Sequence, residues 1–249
     1  MKDKLELLGK RIIVTGGARG LGQSFASALV KNGAKVVIAD ILEDVGFNSA
    51  SQIGAAFVPL DLSEPVSITN CVASAVSELG GLDGLVNCGA IATGIGGITM
   101  DEIEIAIWDK VLSVNVRGTW LMSNAAIPHL EKNDNSKIIN LASDTALWGA
   151  PKLMHYVASK GAIISMTRSM SRELGEKGIA VNCIAPGLTK VEATEYVPEE
   201  RKQLYIQGRS IQREQLPSDI DGTAIFLLSD ASNFMTGQCI AVNGGFVMS

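Results

Sequence analysis

Seven short runs rich in apolar and β-branched residues recur along the chain, and they constrain its fold more than any other feature. Most of them are nearly continuous apolar stretches, which is typical of strands that are buried on both faces. The runs cover residues 11–17, 34–40, 55–61, 82–90, 137–143, 179–187 and 238–245. Segments with helical spacing separate them, at roughly 20–32, 64–79, 100–131, 152–176 and 218–229. This alternation predicts an α/β fold with a doubly wound, mainly parallel sheet of seven strands and helices on both faces.

The length of 249 residues fits one domain, which we predict to span residues 1–249. Residues 188–217 interrupt the alternation, because they form a long, charged stretch with only partial helical spacing. Long excursions in compact domains are often lids, so we predict a substrate lid here. The alternative is a pair of exposed surface helices.

Local signals mark three helix starts. Thr99 and Glu102 fit a capping box, and Pro65 stands in a first helical turn. Ser218 and Asp221 are predicted to cap the last helix.

The charge balance argues against nucleic acid as a partner. Lys and Arg total 21 against 26 Asp and Glu, which gives a net charge of −5, and no dense basic run is present. The first ten residues, MKDKLELLGK, alternate charge with leucine and resemble neither a secretory signal nor a membrane span. We therefore expect a cytoplasmic protein with no membrane partner.

The four cysteines are scattered along the sequence, and the chain has two histidines. No pair of cysteines has metal-ligand spacing, so we predict buried free thiols and no metal site.

A glycine-rich turn, TGGARGLG at residues 15–22, follows the first predicted strand and opens the first predicted helix. Its glycines permit a tight turn, a close approach to a ligand and close packing of helix on strand. The helix N-terminus offers unpaired N–H groups and partial positive charge to a pyrophosphate. The predicted dinucleotide contacts are Gly16, Arg19, Gly20, Leu21 and Gly22. The alternative is a glycine-rich turn that binds no ligand.

Asp40 ends the second predicted strand, 18 residues after Gly22. A Rossmann-type fold places an acid there to accept hydrogen bonds from the adenosine ribose hydroxyls. Its charge would repel a 2′-phosphate, so Asp40 favours NAD over NADP. Arg19 favours NADP, because it could pair with that phosphate. We give Asp40 more weight, since its neighbour Ile41 supplies no cation; its structural alternative is a solvated carboxylate at a strand end.

Tyr156 and Lys160 stand four residues apart in a predicted helix, so their side chains share one face. One interpretation is structural, with both side chains at the solvent-exposed edge of an apolar helix face. The other is chemical, because an ammonium group near a phenol favours phenolate and lowers its pKa. Such a phenol is a general acid/base for alcohol oxidation, in which a nicotinamide accepts the hydride.

Together these motifs resemble the short-chain dehydrogenase/reductase family over essentially the whole chain. The residues that carry the resemblance are Thr15, Gly16, Gly20, Gly22, Asp61, Asn87, Asn115, Ser143, Tyr156, Lys160, Pro186 and Gly187. The resemblance implies that Asn115, Ser143, Tyr156 and Lys160 form the catalytic group. It also implies that Lys160 binds the nicotinamide ribose and that Asn115 supports a water on a proton path. The further cofactor contacts implied are Asp61 and Leu62 at the adenine, Asn87 in the cleft, and Gly187.

The chain departs from the family pattern at two places. Asn87-Cys88-Gly89-Ala90 stands where Asn-Asn-Ala-Gly is common, so the small residues are exchanged. Val191 stands where a threonine is frequent, so we assign the nicotinamide carboxamide to Thr189.

Ser143 closes the fifth predicted strand, where ligands of open α/β sheets gather. Its hydroxyl is predicted to hold the substrate oxygen, and the alternative is a turn or helix-capping serine. Trp148, Leu153 and Met154 would form a partly apolar substrate wall, or else pack structurally. His155 points about 100° from Tyr156 on an ideal helix, so we place it at the surface or an interface.

We conclude from the sequence that the chain is an NAD-dependent dehydrogenase for a small secondary alcohol or its ketone. The alternatives are an NADPH-dependent 3-oxoacyl-type reductase and a non-catalytic NAD-binding protein. The family resemblance implies a homo-oligomer, either a dimer or a homotetramer.

Overall fold

The computed structural model describes residues 5–248, so residues 1–4 and 249 of the predicted domain lie outside the described residues. Seven strands within that part of the chain form one parallel sheet. The strands are β1 (Arg11–Thr15), β2 (Lys35–Asp40), β3 (Ala56–Pro59), β4 (Gly84–Asn87), β5 (Ser136–Leu141), β6 (Ile179–Pro186) and β7 (Cys239–Val242). Each apolar run of the sequence coincides with one strand to within two residues at its start, and all six ladders are parallel.

The strand order is β3-β2-β1-β4-β5-β6-β7, so the winding direction changes at β1. β1 pairs with β2 on one side and with β4 on the other, and Thr15 lies in register with Asn87 at the carboxyl ends of β1 and β4. A doubly wound sheet binds ligands in the crevice outside this switch point. The predicted fold class is therefore confirmed.

Nine α-helices lie in the described part of the chain. They are α1 (Gly20–Lys31), α2 (Glu43–Ile53), α3 (Pro65–Leu79), α4 (Ile105–Leu112), α5 (Thr119–Leu130), α6 (Thr145–Trp148), α7 (Met154–Leu174), α8 (Glu199–Gly208) and α9 (Ser218–Leu228). The sequence does not predict α2, because its buried residues are small and polar or weakly apolar: Gly46, Ser49 and Ala50. It also does not resolve α8, where Tyr205 is the buried residue of a mainly polar helix.

The core lies on both faces of the sheet. On one face, α3 and α5 pack against the strands through residues such as Ile68, Val72 and Met122. On the other face, α1 and α9 contribute Phe25 and Leu227 among others. Burial on both faces explains why the strands are nearly continuous apolar runs.

Two of the predicted helix starts are confirmed, and the third helix, α9, begins at Ser218 but is not capped by Ser218 and Asp221. Thr99 and Glu102 form the expected capping box at a short 3₁₀ turn, and Pro65 is the first residue of α3. At α9, however, the Asp221 carboxylate accepts hydrogen bonds from Ser24 on α1. Asp219 accepts the Leu216 N–H at 2.8 Å instead, because it faces the start of the helix.

All four cysteines are free thiols, with Cys71 and Cys183 buried and Cys88 and Cys239 half-buried. Although they are distant in sequence, Cys183 and Cys239 lie in register on β6 and β7. No helix within residues 5–248 is long and apolar enough to span a membrane.

Candidate active site

The glycine turn packs tightly against the end of β4. Gly16 has a left-handed φ of 65°, and a Cβ there would lie 2.6 Å from the Cα of Gly89. A Cβ on Gly22 would lie 2.1 Å from the carbonyl oxygen of Gly16, so α1 can approach β1 only with glycine at this position. The Thr15 hydroxyl accepts the N–H groups of Cys88 and Gly89 at 3.1 and 3.0 Å and joins the two loops.

The N-terminus of α1 faces this crevice with its first turn uncapped. Arg19 is the N-cap residue, it makes no side-chain capping bond, and the first turn holds no acidic residue. The N–H groups of Gly20, Leu21 and Gly22 are thus the free donors expected of a pyrophosphate site.

Asp40 lies beside the glycine turn at the end of β2. Its carboxylate accepts the Ala18 N–H and the Leu42 N–H, both at 3.0 Å. The acid is therefore held by backbone donors next to the turn and is not simply a solvated strand-end group. Arg19 is exposed, as is Ile41.

Leu62 explains the exchanged small residues after β4. A Cβ on Gly89 would lie 2.8 Å from Leu62 Cδ1, and a Cβ on Gly118 would lie 2.7 Å from the Leu62 carbonyl oxygen. The preceding Asp61 carboxylate accepts two hydrogen bonds from Ser63, which fixes the loop. Glycine at position 89 thus makes room for Leu62 on the floor of the crevice.

A chain of buried hydrogen bonds links the sheet to α7. The Asn87 amide donates to Asn140 and to Ser123, at 2.9 and 3.0 Å. Ser123 donates to the Thr119 carbonyl, and Thr119 donates to the Asn115 carbonyl at 2.9 Å. Among the described residues, the buried Oδ1 of Asn87 has no partner.

Asn115 sits in a π-helical turn, Ser113–Gly118, between α4 and α5. Its side chain accepts the Ile91 N–H at 2.7 Å and donates to the Ile91 carbonyl and to the Ser159 hydroxyl, both at 3.1 Å. Ser159 donates in turn to the carbonyl of Tyr156 at 2.7 Å. A π turn is frequent at functional sites, and here it points the Asn115 amide toward α7.

Tyr156 and Lys160 lie in the first turns of α7, as the spacing predicts. The Lys160 Nζ is 5.6 Å from the centroid of the Tyr156 ring and donates a 2.6 Å hydrogen bond to the carbonyl of Leu141 on β5. Lys160 is buried and has further N–H donors within the crevice. Such donors suit the hydroxyls of a nicotinamide ribose.

Burial governs the acidity of both groups. It raises the pKa of Tyr156 well above its usual range, while the Ser143 hydroxyl lowers it and a negative charge on Asp144 would raise it further. Burial also lowers the pKa of Lys160 to about 8, so its ammonium form still predominates at neutral pH. The Tyr156 pKa is thus raised by burial and not lowered as the sequence predicts, and the lowering by Lys160 stays a prediction for the complex with cofactor.

Ser143 is buried two residues after the end of β5, beside Tyr156. Its hydroxyl accepts the N–H and the hydroxyl proton of Thr145, at 3.3 and 2.9 Å. The serine therefore also fixes the turn into α6, which was the structural alternative. The substrate-binding role is compatible with this turn and stays a prediction.

Three neighbours of the tyrosine differ in their placement. Trp148 packs edge-on against Tyr205 and Phe246, at centroid distances of 6.1 and 5.6 Å, and so belongs to an aromatic cluster. Leu153 lies close to Gly96, whereas Met154 is exposed.

The surface placement of His155 is wrong. Its side chain is 0% exposed, and neither ring nitrogen has a hydrogen-bond partner within residues 5–248. Burial lowers the pKa of this histidine. The helical geometry correctly separates the direction of the His155 side chain from that of Tyr156. It cannot show that other parts of the chain pack against the helix face that carries His155.

The segment after β6 returns to the crevice. The Gly187 N–H donates to Val242, and the Thr189 hydroxyl donates to the Gly187 carbonyl at 3.0 Å. Val191 lies over Gly20, within 4 Å of where its Cβ would be. A cavity of about 1000 Å³ lies between α1 and residues 188–217, and Gly20 and Thr189 line it, whereas Ser143, Tyr156 and Lys160 do not.

Three residues near the site were not found from the sequence. They are Asp144, Tyr196 and Tyr205. Tyr196 and Tyr205 lie in the 188–217 stretch, whose sequence gives only a charged, partly helical pattern. The sequence signal that could have indicated their role is the presence of these two tyrosines in an otherwise polar stretch.

A parallel sheet with a dinucleotide crevice at its switch point, and a tyrosine and lysine beside that crevice, defines a Rossmann-type oxidoreductase. A family model described as enoyl-(acyl carrier protein) reductase matches residues 16–247. The chain belongs to the short-chain dehydrogenase/reductase family.

Its relatives act on different substrates. The chain is 37% identical to a 3-alpha-(or 20-beta)-hydroxysteroid dehydrogenase of Mycobacterium bovis, over 97% of this chain and 90% of that protein. It is 34% identical to a 2-(S)-hydroxypropyl-CoM dehydrogenase of Xanthobacter autotrophicus, over 94% and 95% of the two chains. The structure of a 3-ketoacyl-(acyl-carrier-protein) reductase of Brucella melitensis complexed with NADH is also similar, with a TM-score of 0.91, 30% identity and coverage of 98% and 100%.

Proposed function

We propose that this protein is an NAD(H)-dependent oxidoreductase that interconverts a small secondary alcohol and its ketone, with Tyr156 as general acid/base. The single observation that carries the proposal is the buried placement of Lys160 beside Tyr156, with the Ser143 hydroxyl next to Tyr156. The similarity to dehydrogenases of secondary alcohols supports the reaction class.

The residues of the crevice fit a dinucleotide. The uncapped N-terminus of α1 would hold the pyrophosphate through Gly20, Leu21 and Gly22. Asp61 and Leu62 would flank the adenine, and Asn87 would line the cleft. Gly187 and Thr189 would lie along the nicotinamide, with Thr189 toward the carboxamide.

When bound, the nicotinamide would accept or supply the hydride. Tyr156 would take the hydroxyl proton of the alcohol, and Ser143 would hold the substrate oxygen through its hydroxyl. Lys160 would bind the ribose and favour the phenolate through its positive charge. The π turn at Asn115 would support a water that carries protons from Lys160.

We favour NAD as the cofactor because the Asp40 carboxylate is fixed beside the glycine turn. Its charge would repel the 2′-phosphate of NADP. The second candidate, an NADPH-dependent 3-oxoacyl-type reductase, is favoured by the exposed Arg19 and by the similarity to such reductases. The third candidate, a non-catalytic NAD-binding protein, would leave the Tyr156 and Lys160 arrangement without a use.

The proposal extends to the whole molecule. Residues 1–249 would form a single domain, with 188–217 as the substrate lid over the crevice. We also propose a cytoplasmic homo-oligomer, a dimer or tetramer. The exposed Trp120 on α5 and Phe234 before β7 support an interface between copies.

The test is a screen of secondary alcohols with NAD and with NADP, following the absorbance of the reduced cofactor. We expect turnover with NAD on at least one small secondary alcohol. Faster turnover with NADP, or with NADPH on 3-oxoacyl thioesters, would favour the second candidate. NAD binding without turnover of any alcohol, ketone or thioester would favour the third.

A further inference from the structure

Asp144 directly follows Ser143, and its side chain is fully buried. Its N–H donates to the carbonyl of Pro186 at 3.0 Å, and its own carbonyl accepts the Leu147 N–H at 2.8 Å. Asp144 is therefore an integral part of the turn that presents Ser143.

The partner of the Asp144 carboxylate comes from the lid helix α8. The Tyr205 hydroxyl donates to Asp144 Oδ1 at 3.3 Å, and the Trp148 indole N–H lies 3.3 Å from the same hydroxyl. An indole N–H can only donate, so the Tyr205 oxygen accepts from Trp148 and its proton is directed to Asp144. Tyr205 is only 2% exposed and stacks on Phe246, with ring centroids 4.4 Å apart.

Arg209, one turn after Tyr205, fixes the base of the lid. Its guanidinium donates to the Leu188 carbonyl at 2.7 Å and to the Gln215 side chain at 3.3 Å, which are close to the two ends of the 188–217 segment. The Lys190 N–H also donates to the Gln215 carbonyl at 2.8 Å. The two ends of the lid are thus tied together. Tyr205 joins its helix to Asp144, and Arg201 on the same helix contacts the Trp148 ring and the Pro151 carbonyl further along the chain.

Burial of the Asp144 carboxyl group lowers the stability of the folded chain, because the group is removed from water. Burial raises the pKa of Asp144 to about 7, against the opposing effects of the Tyr205 hydroxyl, the Arg209 charge and the Asn243 side chain. Its Oδ2 has no partner within the described chain. An apolar side chain would avoid both costs, so packing alone does not account for an acid here.

We propose that Asp144 is a positioning residue, whose hydrogen bond with Tyr205 holds the lid helix against the turn that carries Ser143. Loss of this bond would free α8 and reduce substrate binding without removing any group that contacts the reacting atoms. The inference about substrate rests on the proposed function, whereas the inference about lid position does not.

The first test is amide hydrogen exchange, followed by mass spectrometry, in the full chain. The Tyr205→Phe variant keeps the stack on Phe246 and loses only the hydroxyl. We expect its exchange over residues 199–208 to accelerate about ten- to thirtyfold, because the bonds of the hydroxyl to Asp144 and to Trp148, each of modest net strength, are both lost. The matched control is Gln203→Ala, which removes the exposed bond of Gln203 to Glu199 on the same helix and should leave this exchange near that of the wild type.

Two variants at Asp144 separate the hydrogen bond from the fold. Asp144→Asn keeps an acceptor oxygen for Tyr205, so we expect exchange over α8 near the wild-type rate. Asp144→Ala removes the acceptor but keeps the bond between Trp148 and Tyr205, so we expect it to accelerate this exchange about five- to tenfold, less than Tyr205→Phe. The double variant Asp144→Ala with Tyr205→Phe should exchange no faster than Tyr205→Phe alone, since Asp144 acts on α8 through the Tyr205 hydroxyl.

The second test is kinetic, on any alcohol that the wild type oxidises. Tyr205→Phe should raise the alcohol KM about tenfold and change kcat less, whereas a change at Ser143 should act mainly on kcat. If the wild type oxidises no alcohol, the proposed function fails but the exchange test still decides the position of the lid.

The proposal is overturned if Tyr205→Phe exchanges like Gln203→Ala, or if the effects of the two single variants add in the double variant. It is also overturned if Asp144→Asn exchanges as fast as Asp144→Ala, because the charge and not the hydrogen bond would then matter. Should Asp144→Ala fail to fold, Tyr205→Phe and Asp144→Asn are sufficient for the test.

Discussion

The Tyr196 hydroxyl donates a 2.9 Å hydrogen bond to the carbonyl of Ala92, and so joins the 188–217 segment to the loop after β4. The same phenol lies near Tyr156, and a negative charge on it would raise the Tyr156 pKa. All three tyrosines of the chain therefore gather around one site.

Removal of the Tyr196 hydroxyl should open the front of the lid. We expect Tyr196→Phe to raise the alcohol KM about three- to tenfold with a smaller change in kcat, because one hydrogen bond of modest net strength is lost. Steady-state kinetics measure the split. Leu204→Ala, on the exposed face of α8, is the control and should leave KM unchanged. A fall in kcat alone would contradict a closing role for Tyr196.

The general acid/base is tested by Tyr156→Phe. We expect kcat to fall about 10²- to 10⁴-fold, since the phenolic oxygen carries the proton. The affinity for NADH, followed by its fluorescence, should stay within a few-fold of the wild type. Undiminished turnover in this variant would remove the proposed mechanism.

Cofactor choice should depend on the charge of Asp40. In Asp40→Asn one acceptor oxygen is retained for the backbone, but the charge is lost. We expect the ratio of kcat/KM with NADP to that with NAD to rise about tenfold, as expected for the loss of one repulsive charge near a phosphate. Asp44→Asn, which neutralises an exposed acid at the start of α2, is the matched control. An equal change in both variants would assign the effect to general charge.

Close packing of α1 on β1 should make Gly22 irreplaceable. A Cβ there would overlap the Gly16 carbonyl, so Gly22→Ala should lower the free energy of unfolding by about 3 kcal/mol or prevent folding. By contrast, Gly222→Ala in α9 meets no atom within 4 Å and should stabilise the helix by about 1 kcal/mol. Urea denaturation measures both, and a tolerated Gly22→Ala would contradict the packing.

His155 should make stability depend on pH. Because burial lowers its folded pKa, the unfolded chain binds more protons below about pH 6.5 and stability falls as the pH decreases. Above that pH both states are neutral and the dependence disappears. His155→Leu should lose less stability between pH 7.5 and pH 5 in urea denaturation. His129→Gln, at the other histidine, should retain the wild-type loss; identical curves for wild type and His155→Leu would refute the assignment.

The features that could be predicted from the sequence are those that repeat along the chain or follow a fixed residue spacing. The strands are visible because burial on both faces demands continuous apolar residues, and Tyr156 and Lys160 are visible because a helix brings residues four apart together. The glycine turn and Asp40 have fixed positions along two neighbouring strands.

The remaining features depend on partners that are distant in the sequence. Asp144 meets Tyr205 across 61 residues, and Tyr196 meets Ala92 across 104. A single polar residue has no period that could indicate such a contact. The burial of His155 and the register of Cys183 with Cys239 likewise depend on which elements pack together, which only the folded chain shows.

The hydrogen bond between Lys190 and Gln215, together with those of Arg209, makes the 188–217 segment a separate structural module of the fold. Because the two ends of the 188–217 segment meet beside β6, the residues between them form one loop that is closed at its base. Their length and composition can diverge while the strands and the nicotinamide crevice stay as they are.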